Sequence, residues 1–260
     1  MPYFSFDKIQ IGPITLYTWG MFLALAFLIA FFWILKKAKK QKIDPDIMYN
    51  SFTWIILGAI IGGRLGYIFQ FPEHYFSQPL EILKIWEGGL TLHGGIFGVL
   101  TAGIIYAKFA KISKRLFFQI ADLIALVLPI SIAVGRIGCS LINDHQGAET
   151  SLPWGIIWPN GIVRHPVAEY LIISALILFF VLRFLKPKLK EPGQLFFAFL
   201  LLYSISRFLL DFTRANSTLL SDPHYFYLST AQWLSLAIIL GIIIKKLIFL
   251  KRSKKLKCTS

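Results

Sequence analysis

Apolar runs of roughly 20 residues recur along the chain, and no other feature limits the fold so strongly. They lie at 14–35, 47–70, 90–109, 117–138, 166–185, 194–212 and 229–250. A helix of that length crosses the hydrocarbon core of a bilayer with every backbone group bonded internally; open strands cannot do so. The alternating pattern of a membrane β-barrel is absent. The expected fold is therefore an all-α membrane protein with seven transmembrane helices, a single polytopic membrane domain over 1–260 ending in a basic tail at 251–260. Composition agrees. Hydrophobic residues make up 56% of the chain and charged residues 15%, where a soluble domain carries about 25%. No soluble module, low-complexity linker or clear repeat interrupts the pattern. The opening MPYFSFDKIQIGPITLY lacks the basic start of a signal peptide.

The net charge of +14 does not mark a nucleic-acid binder, because the basic residues fall in short runs between spans rather than on one soluble face. Twenty of the 27 lysines and arginines lie in four segments: KKAKKQK at 36–42, Lys108 to Arg115, Arg183 to Lys190, and the tail from Lys245. With seven spans all four fall on one side. The positive-inside rule then predicts the N-terminus outside and the C-terminus cytoplasmic. Attraction to anionic lipid is a side effect of the same lysines. Two cysteines, Cys139 and Cys258, give neither a disulfide framework nor a zinc spacing. No metal ligand set is apparent, and no cofactor is implied.

On this topology the awkward residues share the outer end of their helices. Arg64 closes span 2, His93 opens span 3, Arg136 ends span 4, His165 opens span 5, and Arg207 and Asp211 close span 6 with Arg214 beyond. Asp122, toward the inner end of span 4, is the exception. A charge at mid-bilayer costs about 2.5–3.5 kcal/mol on insertion scales. Each arginine alone is consistent with a side chain snorkelling to the interface, Arg64 and Arg214 especially. Several guanidinium groups at one level repel unless an anion lies between them. Asp144 and Asp211 supply part of that charge, and a bidentate phosphate supplies the rest. At this depth the favoured ligand is a phospholipid head group. Gly58, Gly62 and Gly66, four apart, form a stripe that lets helices approach closely. Gly88, Gly89, Gly94 and Gly95 around His93 suggest backbone close to a ligand. The alternative for His93 is a hydrogen-bonded histidine at a helix start.

GGRLGYIFQ (62–70), GGLTLHGGIFG (88–98), GRIGCSLINDHQG (135–147), LPWGIIWP with RHP (152–159, 164–166), YSISRFLLDFTR (203–214) and LSTAQWLSL (228–236) together resemble the prolipoprotein diacylglyceryl transferase family in order and spacing. The resemblance covers nearly the whole chain. It implies transfer of the diacylglyceryl group of phosphatidylglycerol to the lipobox cysteine thiol of a preprolipoprotein, forming a thioether and releasing glycerol phosphate. The protein would sit in the bacterial cytoplasmic (inner) membrane with its active site toward the outer face. Its partners would be phosphatidylglycerol, the lipobox signal peptide and membrane lipids. On the family's motifs His93 takes the place of the essential histidine and candidate base, and Arg136 and Arg207 stabilise the leaving phosphate. Asp144 and Asp211 orient the arginines or the glycerol hydroxyls, and Asn143 and Tyr203 hydrogen-bond the head group. Arg64, Gly94, Gly95, Gly138, Cys139, Gly147 and Arg214 complete the substrate-binding set.

The chain departs from the family at several positions. Cys139 stands where Asn is usual, and Asp144 and Asp211 stand where Glu is usual. Trp19 precedes Gly20 where a tyrosine is usual, and Val167, Ala168, Glu169 and Tyr170 follow the His-Pro. Cys139 reads either as a nucleophile or as a small filler at a tight helix end; Cys258 in the basic tail is a candidate for acylation. The competing functional readings are a lipid or anion transporter, against which only Asp122 lies deep on the inner side, and a phosphatidylglycerol binder of the same family with lost or changed transferase activity.

Overall fold

The computed structural model describes residues 1–12, 14–84, 89–215 and 224–257; the side chains of Ile11, Ile14, Leu92, His93 and 249–257 lie outside the description. The apolar runs form helices in order: α1 (Thr18–Lys40), α2 (Pro45–Gln70), the short α3 (Pro72–Ser77), α4 (Leu92–Phe109), α5 (Lys114–Ile142), α6 (Val167–Leu185), α7 (Gln194–Asp211) and α8 (Thr230–Lys257). Six of them, α1, α2, α5, α6, α7 and α8, are long and apolar enough to cross a membrane. The run expected at 90–109 is the apolar helix α4, of 18 residues.

Two boundaries differ from expectation for local reasons. The first helix starts at Thr18 rather than at 14. The stretch Ile14–Tyr17 (β2) instead pairs antiparallel with Lys8–Ile11 (β1), Lys8 facing Tyr17. β-Branched residues favour that pairing, and Gly12 at φ +60° makes the turn. The fourth expected span, 117–138, is longer as α5, so Arg136 and Cys139 lie inside a helix rather than at its exit.

The chain divides into two compact units, one of 1–32 with 121–260 and the other of 33–120, and α1 and α5 each continue from one unit into the other. In the second unit α2 and α4 lie against each other along glycines. A Cβ on Gly58 would come within 2.5 Å of the Gly98 carbonyl oxygen and 2.6 Å of Ala102 Cβ, and one on Gly62 within 2.6 Å of Gly98 Cα. The stripe expected from Gly58, Gly62 and Gly66 is thus a helix seam. Thr91 closes its end: its hydroxyl accepts from the Gly94 N–H at 3.3 Å as the cap of α4, and its own N–H donates to Gly63 O at 3.0 Å.

In the first unit a core of Ala125 and Leu126 from α5, Leu178 and Leu182 from α6, and Leu195 and Phe199 from α7 holds three helices together. Asp122 has a structural place beside it. Its two carboxylate oxygens accept from the Gly193 N–H at 2.7 Å and the Phe196 N–H at 2.8 Å. Those are unpaired donors at the start of α7, where a negative charge is favoured. Asp122 therefore caps a neighbouring helix, away from the other polar residues. At the opposite end of α7, Ser229 and Gln232 form a reciprocal capping box on α8: Gln232 N donates to Ser229 Oγ at 3.1 Å and Ser229 N to Gln232 Oε1 at 2.9 Å.

Candidate active site

Within the first unit, five segments bring polar groups to one end: the last turns of α5, the loop 143–166, the start of α6, the end of α7 and the start of α8. Backbone bonds knit them. Ala148 N donates to Thr213 O at 2.8 Å, Ala215 N to Gln146 O at 3.0 Å, and His165 N to Ala148 O at 3.0 Å. Gly147 lies at this crossing, where a Cβ would come within 2.8 Å of His165 N, so only glycine fits. Arg164 Nη1 donates to Gly147 O at 3.1 Å.

Asp211 is the centre of one charge cluster. It is 5% exposed. Arg207 Nη1 lies 2.9 Å and Arg214 Nη1 3.7 Å from its Oδ1, and the Ser229 hydroxyl donates to its Oδ2. The Arg207 pair is close in charge but off the hydrogen-bond direction, so both atoms keep an unfilled bonding site. Tyr203, one turn before Arg207, stacks on Phe199 with ring centres 5.7 Å apart.

Arg136 is the centre of a second cluster, and its charge interacts with that of Arg207. Its Nη1 lies 2.9 Å from His145 Nε2 and 3.8 Å from Cys139 Sγ, and His145 Nδ1 is hydrogen-bonded to Asp144. The ligand atoms of Cys139, Asp144 and His145 lie within 4.8 Å of one another, as in a cation site. Arg136, however, donates to the imidazole lone pair a metal would need and brings its own positive charge to the same point. At the same end Arg164 lies 3.7 Å from Glu149 and the Glu169 carboxylate accepts from Ser140, so that within the two clusters themselves three guanidinium groups, Arg136, Arg207 and Arg214, meet two carboxylates, Asp144 and Asp211. In partly buried surroundings that arrangement favours an anion.

Several expected site residues have structural tasks here. Asn143 ends α5 in the left-handed conformation, φ 48°, and its amide donates to Phe4 O. That bond fixes the N-terminal segment. Gly138 admits α1, since a Cβ there would come within 2.8 Å of Phe22 Cβ. Cys139 is buried at 4% exposure.

In the second unit, Arg64 is 7% exposed. It donates from Nε to Ile82 O at 3.0 Å, from Nη1 to Gly89 O at 3.2 Å and from Nη2 to Glu81 O, and its Cζ lies 5.1 Å from the centre of the Tyr75 ring. Through these partners Arg64 pins the segment that follows α2. Gly89 is at φ +72°, and a Cβ there would come within 2.5 Å of Arg64 Nη1. A hydrogen bond from His74, then Lys84 beside it, holds the carboxyl of Glu81 below the ordinary glutamate range. Gly94, expected near a ligand, instead lies in the α2–α4 seam, and a Cβ on Gly95 would meet only Ala59 O at 3.4 Å. His93 is the second residue of α4, and its side chain lies outside the described residues.

Sequence reasoning missed His145, Ser229 and Glu169, whose carboxylate accepts from Ser140 at 2.6 Å. The Ser-x-x-Gln spacing at 229–232 announces a capping box. Nothing in the sequence announces the partners of His145 or Glu169.

The profile of the family described as prolipoprotein diacylglyceryl transferase matches residues 8–248. The chain belongs to this family. Three relatives carry the name phosphatidylglycerol–prolipoprotein diacylglyceryl transferase. That of Bordetella avium (strain 197N) is 33% identical, with 98% of each chain covered. That of Pasteurella multocida (strain Pm70) is 34% identical, with 97% of each covered. That of Cupriavidus metallidurans is 35% identical over 92% of this chain and 90% of its own. A family of membrane-bound transferases accommodates the two features that the fold displays, apolar helices long enough to span a bilayer and an arginine-rich end in the first unit.

Proposed function

We propose that the protein transfers the diacylglyceryl group of phosphatidylglycerol to the lipobox cysteine of preprolipoproteins. The observation that carries this reading is the pair of charge clusters around Arg136 and Asp211, in which the three guanidinium groups of Arg136, Arg207 and Arg214 meet only the carboxylates of Asp144 and Asp211. The lipid brings the phosphate that such a cluster lacks. The substrate brings the nucleophile, so the enzyme requires neither a serine nor a cysteine of its own, consistent with a buried filler at Cys139.

The step balances simply. The lipobox thiol, of ordinary pKa about 8.5, gives its proton to a base, and the imidazole of His93 is the proposed acceptor. The sulfur attacks the glycerol carbon that bears the phosphate ester. The C–O bond breaks, a C–S bond forms, and glycerol phosphate leaves with the bonding pair as new negative charge on a phosphate oxygen. Arg136 and Arg207 stabilise that charge as fixed donors. Asp211 holds Arg207 and Arg214, and Tyr203, Asp144, Cys139, Gly138 and Gly147 shape the head-group site. We further propose seven spans, with α4 crossing as well, the N-terminus outside, the C-terminus cytoplasmic, and the reaction at the outer face of the bacterial inner membrane.

The test is reconstitution in vesicles containing phosphatidylglycerol with a peptide carrying one lipobox cysteine. A diacylglyceryl adduct seen by mass spectrometry, absent with a Cys→Ser peptide and lost with His93→Ala or Arg136→Ala enzyme, is the expected outcome. Folded protein that binds the lipid and forms no adduct would leave a phosphatidylglycerol binder in its place.

A further inference from the structure

The left-handed residue Asn143 reverses the chain at the end of α5, so that Asp144 and His145 return over Arg136. A guanidinium can only donate, so His145 Nε2, 2.9 Å from Arg136 Nη1, is the acceptor. The ring proton is then on Nδ1, which donates to Asp144. A carboxylate, a neutral imidazole and a guanidinium thus stand in line, with the His145 side chain 19% exposed.

We propose that His145 is a positioning residue that acts through Arg136, fixing its guanidinium for the anionic head group; this rests on the transferase reading. The physical reason lies in what the ring separates. An arginine side chain has roughly 2 kcal/mol of rotamer entropy to lose on being held. A carboxylate in direct contact would hold it and also neutralise it, weakening its attraction for a phosphate. The imidazole supplies a directional acceptor without charge, and Asp144 fixes the ring's tautomer and plane from its far side, as carboxylates do for ligating histidines. One Nη1 hydrogen is occupied in this way. The Nε and Nη2 hydrogens have no part in the relay, and that edge of the guanidinium is able to meet two phosphate oxygens in the bidentate mode.

Substitution at position 145 separates this role from a merely structural one. Leucine removes the acceptor and keeps the bulk. Glutamine replaces Nε2 by an amide oxygen within reach of Arg136. Asparagine reproduces only the Nδ1 donor to Asp144. In the vesicle assay His145→Leu and His145→Asn are expected to raise the KM for phosphatidylglycerol at least about tenfold, the scale of one hydrogen bond to a charged group, with the KM for the peptide within twofold of the unsubstituted enzyme. His145→Gln is expected to recover most of that loss. Thermal unfolding in detergent shows which variants are folded; if leucine does not fold, the glutamine and asparagine pair carries the same contrast.

Equal losses for glutamine and leucine, a change confined to the peptide KM, or no change with leucine would overturn the proposal. So would one equivalent of zinc measured by mass spectrometry in the purified protein and removed by His145→Leu, since that outcome makes the cluster a cation site. If the unsubstituted protein transfers nothing, the transferase reading fails by itself. The same variants are then compared for phosphatidylglycerol binding by native mass spectrometry, where leucine weakens binding and glutamine restores it if His145 positions Arg136, and both leave it unchanged if it does not.

Discussion

Asp211 shows how much one side chain can hold at this end of the protein. It is buried, two arginines face one of its oxygens, and the Ser229 hydroxyl binds the other. Removing the charge of such a group leaves two guanidinium groups opposed with no counter-charge, a loss of about 3–5 kcal/mol in comparable buried pairs. Asp211→Asn is therefore expected to lower the thermal midpoint in detergent by several degrees and to reduce lipid transfer at least tenfold; a midpoint within one degree of the unsubstituted protein would show that the charge is not needed there. The spacing of Arg207 and Asp211, four apart on α7, made their contact legible in the sequence, because residues three and four apart share a helix face; Arg214 reaches the same carboxylate from beyond the end of the helix. Arg64 was not legible in this way. Its partners are backbone carbonyls 17 to 25 residues further on, and a carbonyl has no residue-type signature. His145 was hidden for a related reason: its approach to Arg136 depends on the left-handed turn at Asn143, a conformation that residue type permits without requiring.

At the scale of elements, hydrophobic runs located the helices well, and their ends less well, because ends are decided by specific bonds. The strand at Ile14–Tyr17 depends on its hairpin partner Lys8–Ile11, and the cap that Asp122 gives α7 joins residues 71 and 74 positions apart. The α2–α4 seam is the element contact that the sequence displayed most directly, as glycines four apart. It also separates glycines that the fold needs from one that it does not. A Cβ on Gly98 would overlap the Gly58 carbonyl group, whereas one on Gly103 of the same helix meets nothing within 4 Å. Forcing a methyl group into packed backbone typically costs about 1–3 kcal/mol, while replacing an unconstrained helical glycine by alanine gains about 0.5–1 kcal/mol. Gly98→Ala is expected to lower the thermal midpoint and Gly103→Ala to hold or raise it. Equal shifts in the midpoint from the two substitutions, measured side by side, would mean that the seam does not bear on stability.

For the whole molecule the open quantity is parity, and it turns on α4. Its 18 residues make a helix of about 27 Å, close to the ~30 Å hydrocarbon core, while six other helices are plainly long enough. If α4 crosses, the chain passes seven times and its four basic segments, at 36–42, 108–115, 183–190 and from 245 onward, all fall on one side. If it does not cross, the later segments move to the opposite side from the first, against the charge asymmetry that orients membrane proteins. The lysines and arginines therefore favour seven crossings. Cys258 reports the outcome, because the other cysteine, Cys139, is buried at 4% exposure. A membrane-impermeant maleimide is expected to leave Cys258 unlabelled in intact spheroplasts and to label it once they are opened. Leu80→Cys, at a position 79% exposed in the segment after α2, is expected to label without opening. Labelling of both from outside would mean that α4 stays on one side of the bilayer. Labelling of Cys258 alone from outside would mean that seven crossings run in the inverted sense, and the reaction would then have to be placed at the cytoplasmic face.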